Sequence, residues 1–82
     1  MSDVTRAQRI HELDVTLWVG KNGIDAVTDE LAAQLDDREL VKVRFHRSAL
    51  AGTETGELAD RLASRVGASV VDTRGHTAVM ER

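Results

Sequence analysis

Apolar residues along this chain recur with two periods, and the switches between them mark out the elements. Val4, Ala7 and Ile10, with His11 beside them, fall three or four apart, while Arg6, Arg9 and Glu12 take the other positions. That predicts a short amphipathic helix over residues 4–13, ending near Asp14. Residues 15–19 (VTLWV) are β-branched and aromatic and predict a strand with Val15, Leu17 and Val19 on one face. A helical stripe follows over residues 24–37, made by Ile24, Val27, Leu31 and Leu35 with Ala32 alongside. Residues 39–46 return to strict alternation, with Val41, Val43 and Phe45 set against Leu40, Lys42, Arg44 and His46. After a loop at 47–53, Leu58, Leu62 and Val66, with Ala59 and Ala63, predict a helix from about Glu54, and Gly67 suits the residue just past its end. Residues 68–73 and 77–81 predict two strands joined by a tight turn at Arg74-Gly75-His76.

The order is α-β-α-β-α-β-β. Helices between strands impose crossovers, so the first three strands should run parallel, and the final hairpin makes the fourth antiparallel. The expected architecture is an α/β two-layer sandwich with a four-stranded mixed sheet. A chain of 82 residues fits a single domain, 1–82. It has no cysteine, which excludes a disulfide framework and a thiolate nucleophile, and His11, His46 and His76 have no metal-ligand spacing. No apolar run exceeds three residues, as at Leu17–Val19, against the roughly 20 that span a bilayer. No membrane partner, metal, cofactor or small-molecule substrate is expected, and a cytoplasmic location is. Trp18 and Phe45 are the only aromatic residues, too few for a sheet that reads single strands by stacking several bases.

The formal charge is −3, which at first sight disfavours a polyanionic partner, but the charge is segregated. Residues 38–47 hold Arg38, Lys42, Arg44 and Arg47 against Glu39, whereas the helix at 24–37 holds Asp25, Asp29, Glu30, Asp36 and Asp37 and no base. One surface can therefore be locally positive on an acidic molecule. The tetrapeptide Gly20-Lys21-Asn22-Gly23 stands between a predicted strand and a predicted helix. In that position backbone amides and the helix start would face a phosphate oxygen. The glycines would let a nucleic-acid backbone approach, Lys21 would add a cation and Asn22 a donor. The bland alternative is an ordinary strand-to-helix turn that needs glycine conformations. The loop lacks the GxxxxGK[ST] form that wraps a nucleoside triphosphate.

LWVGKNGIDAVTDEL, then RELVKVRF, then LASRVGASVVDTRGHTAVM occur in that order. From about Val15 to Met80 the chain resembles the YhbY-like, or CRM (chloroplast RNA splicing and ribosome maturation), RNA-binding domain family. The resemblance implies a fold similar to the C-terminal domain of bacterial translation initiation factor three. Its sheet order would be 1-2-4-3, with strand 4 antiparallel and both crossover helices on one face. It also implies association with ribosomal RNA or large-subunit precursors during ribosome assembly, as in free-standing members, and makes the GxxG loop, Gly20 to Gly23, the RNA-contacting element. Where many members end in Tyr-Arg and a basic tail, this chain has Met80-Glu81-Arg82.

Lys42, Arg44 and His46 share one strand face beside Trp18. Either that face is open and forms a phosphate-contacting row with an aromatic available for stacking, or the helix at 4–13 crosses it and Trp18 belongs to the core. Lys42, Arg44 and Arg47, with Arg74 and His76 at the hairpin tip, complete the candidate RNA-binding set. Arg61 and Arg65 read as surface ion-pair partners, with Glu57 and Arg61 at i,i+4, and His11 as structural. No serine has a neighbouring histidine and acid, so no catalytic role is expected. The alternatives are a DNA-coating chromatin-type protein and a protein-interaction module presenting Asp25, Asp29 and Asp36 as one stripe.

Overall fold

The computed structural model describes residues 5–82, so Ser2 and Val4 lie outside the described residues. In chain order the elements are α1 (Arg6–Glu12), β1 (Val15–Val19), a 3-10 turn (Ile24–Val27), α2 (Thr28–Asp37), β2 (Val41–Phe45), a second 3-10 turn (Arg47–Ala49), α3 (Thr55–Arg65), β3 (Ser69–Arg74) and β4 (Thr77–Glu81). The sheet order is β1-β2-β4-β3. β1 pairs parallel to β2, while β4 pairs antiparallel to both β2 and β3. The expected α/β architecture and sheet order are both present.

One continuous core lies on one face of this sheet. Leu17 and Val19 of β1, Val41, Val43 and Phe45 of β2, and Ala78 and Met80 of β4 meet Ile24, Leu31 and Leu35 from the first crossover. Leu58, Ala59, Leu62 and Ala63 of α3 complete it. Phe45, Leu31, Leu62 and Met80 are its largest fully enclosed side chains. The alternation in β2 and the stripe in α3 thus bury the residues their periods select. α3 ends as its sequence predicts. Gly67 takes φ 68°, its amide donates to Ser64 O at 3.3 Å, and the Ala68 amide donates to Ala63 O at 2.9 Å. This is the double closure that a left-handed residue after a helix permits.

Three details depart from the sequence reading. First, Val15 does not share a face with Leu17. Val15 pairs with Lys42 and Leu17 with Val43, so Thr16 is an extra, bulged residue. Gln34 of α2 holds the bulge, donating from Nε2 to Thr16 O at 2.9 Å and accepting from Thr16 Oγ1 at 2.6 Å. Val15 belongs to neither apolar cluster.

Second, residues 24–37 are not one α-helix. The Thr28 hydroxyl donates to Ile24 O at 2.9 Å, occupying the carbonyl that a continuous α-helix offers to the Thr28 amide. The first turn tightens to 3-10, and Val27 leaves helical geometry at φ −116°, ψ 1°.

Third, the other sheet face is not uniformly open. Leu40 is buried with Ile10 and Val79 in a small second cluster, against which Leu13 and Val71 pack. α1 therefore crosses that face, as one alternative held, but the other half of that alternative fails. Trp18 remains 51% exposed.

Candidate functional site

Parallel strands place all their carboxyl ends on one side of a sheet. β1, β2 and β3 share a direction here, so the turn after β1, the segment after β2 and the β3–β4 hairpin gather at one end. Two backbone hydrogen bonds lock them there: the His46 amide donates to Val19 O at 2.8 Å, and the Phe45 amide to His76 O at 2.7 Å. Gly20, Lys21, Asn22, Gly23, Arg47, Arg74 and His76 arrive at this end from three separate stretches of sequence. Such strand ends are where open α/β sheets commonly seat ligands.

The Gly20–Gly23 tetrapeptide is a tight turn closed by the Gly23 amide donating to Gly20 O at 3.0 Å. Lys21 and Asn22 occupy its corner and are exposed, and their amides have no hydrogen-bond partner among the described residues. The two glycines differ. Gly23 sits at φ 77°, ψ −175°, a conformation open essentially to glycine alone. Gly20 has no positive φ, and a Cβ built there meets nothing within 4 Å. The fold itself has no need of glycine at position 20; an approaching external backbone would.

One part of the expected site chemistry is corrected. The turn opens onto a 3-10 segment of four residues, and α2 begins only at Thr28, with no side-chain cap. The N-terminal charge of a full helix dipole is therefore not aimed at the loop, because that field fades within a turn. Free amides and side-chain cations carry the electrostatics instead.

Beside the loop, Arg44, Phe45, His46, Arg47, Ser48 and His76 line an open cleft of about 570 Å³. The structure thus unites Arg44, Arg47 and His76 from the sequence-derived set with His46, which the sequence placed in the row with Lys42 and Arg44, and adds Ser48. His46 and Ser48 are both adjacent to Arg47 in sequence, but only the docked hairpin turns this stretch into one wall of a cleft. Arg74 stands at the same sheet end, with Nη1 3.0 Å from His11 Nε2. Lys42 lies apart, half-buried in mid-strand between Val15 and Val79.

Ion pairing separates the bases into two groups. Arg6, Arg9, Arg61, Arg65 and Arg82 pair with Glu81, Glu39, Glu57, Asp25 and Asp36 respectively. Lys21, Arg38, Lys42, Arg44, Arg47 and Arg74 have no carboxylate partner among the described residues. Four of these six, namely Lys21, Arg44, Arg47 and Arg74, stand at or beside the carboxyl end of the sheet. The acidic stripe is correspondingly reduced, since Asp25 and Asp36 are engaged by arginines of the same chain. The Glu81 carboxyl, away from the loop, is held below its ordinary value chiefly by the hydrogen bond from Arg6.

The chain is 36% identical over 74 residues to a protein of Methanocaldococcus jannaschii described as a probable RNA-binding protein. That alignment covers 90% of this chain and 55% of the relative, so the chain spans about half of that protein's length. The fold of the present chain matches the solution structure of a hypothetical Staphylococcus aureus protein, proposed there to bind RNA, with TM-score 0.75 and 27% identity. The match covers 94% of this chain and 78% of the other. Residues 5–82, α1 included, match the model of the CRS1/YhbY (CRM) domain, and the chain belongs to that family.

Proposed function

We propose that this domain binds RNA by its backbone, seating phosphates on the Gly20–Gly23 turn and in the adjoining cleft. The observation that carries this reading is the gathering of unpaired cations. Lys21, Arg44, Arg47 and Arg74 stand at or beside the sheet end where the turn also exposes backbone amides, while most other bases are neutralised within the chain. A guanidinium without an internal carboxylate is free to take a phosphate, and the bare backbone at Gly20 leaves room for a sugar-phosphate chain. Lys42 adds charge from mid-sheet, and His76 can donate from the hairpin tip.

The biological target we infer is ribosomal RNA in precursors of the large subunit, in the cytoplasm. Support for the ribosomal target comes from the resemblance to free-standing members of the family, while the described relative supports RNA binding alone. Replacing Lys21 and Asn22 together by aspartate should weaken binding to structured RNA more than tenfold, measured by filter binding. The thermal midpoint should stay within about a degree, because both side chains are exposed. Equal affinity of variant and wild type would remove the turn from the mechanism. Competition between structured RNA and duplex DNA at fixed salt separates this reading from a DNA-coating role. Sequencing RNA crosslinked to the protein in cells tests the ribosomal target.

A further inference from the structure

Trp18 is the only large apolar side chain left exposed among the described residues, and it belongs to neither apolar cluster. The sheet explains its position. α1 covers the face opposite the core over Leu40, Val71 and Val79 and reaches Arg74 through His11, while Trp18, on the far edge strand, stands nearer the carboxyl end. There it is the register partner of Arg44, which pairs across β4 with Thr77, and Thr77 in turn with Arg74. A transverse row results: an indole, a guanidinium, a hydroxyl and a second guanidinium, with no carboxylate in it. We propose that this uncovered half of the face seats one unpaired nucleobase of the bound RNA, stacked on Trp18, with Arg44 gripping the adjoining phosphate.

The proposal rests on the RNA-binding reading above and narrows it to RNA with a single-stranded segment next to the phosphates held by the turn. Any base presents a π-face to an indole, so stacking adds affinity with little sequence preference. Bases within a duplex are already stacked and cannot reach the platform. A row whose two guanidinium groups have no carboxylate partner among the described residues suits an anionic strand better than an apolar surface.

Trp18 is the chain's single tryptophan, so its emission reports on this one place. The experiment titrates the protein with a single-stranded oligoribonucleotide and with a duplex of the same sequence. It follows Trp18 emission and, independently, the anisotropy of a label on the RNA. Strong quenching by the single strand and little by the duplex is the expected result. Trp18→Ala should loosen the single strand about ten- to a hundredfold with duplex binding unchanged, and Trp18→Phe should keep most of the affinity. Circular dichroism of both variants should match wild type. Saturable anisotropy with unchanged emission, and Trp18→Ala at wild-type affinity, would overturn the platform while leaving backbone binding standing. Absence of binding to either RNA would overturn both. A dimer in sedimentation that Trp18→Ala dissolves would assign the face to a second copy of the chain and also defeat the proposal.

Discussion

Gly20 and Gly23 bracket the same turn yet answer to different demands. Gly23 holds a backbone conformation at φ 77° that a Cβ would strain, so Gly23→Ala should cost about 1–3 kcal/mol of stability. Gly20 has no such conformation, and a methyl there meets open space. Gly20→Ala should therefore leave the thermal midpoint nearly unchanged while lowering RNA affinity several-fold, because the added methyl stands where a sugar-phosphate backbone would pass. Denaturation and binding assays on the same two proteins check this. Gly20→Ala with undiminished affinity would show that the backbone approaches elsewhere. The exposure of Trp18 is a second fact at this scale: strand propensity made it a strand residue, but only its neighbours decided which way it would be used.

α1 is the element whose attachment is most conditional. Seven residues long, it holds to the sheet by Ile10 on Leu40 and Val79, by ion pairs Arg6–Glu81 and Arg9–Glu39, and by the contact of His11 with Arg74. Hydrogen bonding to Arg6, and secondarily its charge, hold the Glu81 carboxyl below its ordinary value. A lowered folded value means that ionised Glu81 favours the folded state at pH above the usual carboxylate range. That contribution fades as pH falls through the lowered value. Thermal melts from pH 7 to pH 3 should show wild type losing stability on the acid side more steeply than Glu81→Gln, so that the two curves converge. Parallel curves would mean that the pair contributes nothing to docking of the helix. α1 also determines how much of the sheet face stays open, so its attachment bears on the surface around Trp18.

On the scale of the whole molecule, net charge and local charge point in opposite directions. The chain is acidic overall, with a formal charge of −3, yet four of the six bases without a carboxylate partner among the described residues stand at or beside one end of the sheet. Counterion release depends on the phosphates actually contacted, not on the total. Arg44→Gln combined with Arg47→Gln should lower the slope of log affinity against log salt by roughly two. Arg61→Gln, whose guanidinium is 3.0 Å from Glu57, should leave that slope unchanged. Equal slopes for all three proteins would mean that the cleft does not meet phosphate.

Much of this was legible in one dimension because the causes are local. Alternation in residues 41–45, the helical stripe from Leu58 to Ala63 and the glycine at 67 each depend on neighbours a few positions away, and each stands where the pattern puts it. So does the order of elements, since helical crossovers compel parallel strands. The bulge at Thr16 was not legible, because a bulge is a mismatch between two strands and Gln34 fixes this one from 18 residues away. Nor was the 3-10 turn at Ile24–Val27, where one hydroxyl competes with the helix for a carbonyl. Composition listed the bases, but which of them stay free depends on partners as distant as Arg82 and Asp36, 46 residues apart. Period and propensity act along the chain, whereas charge pairing and exposure act through space, and for that reason the candidate site took shape only when three strand ends met.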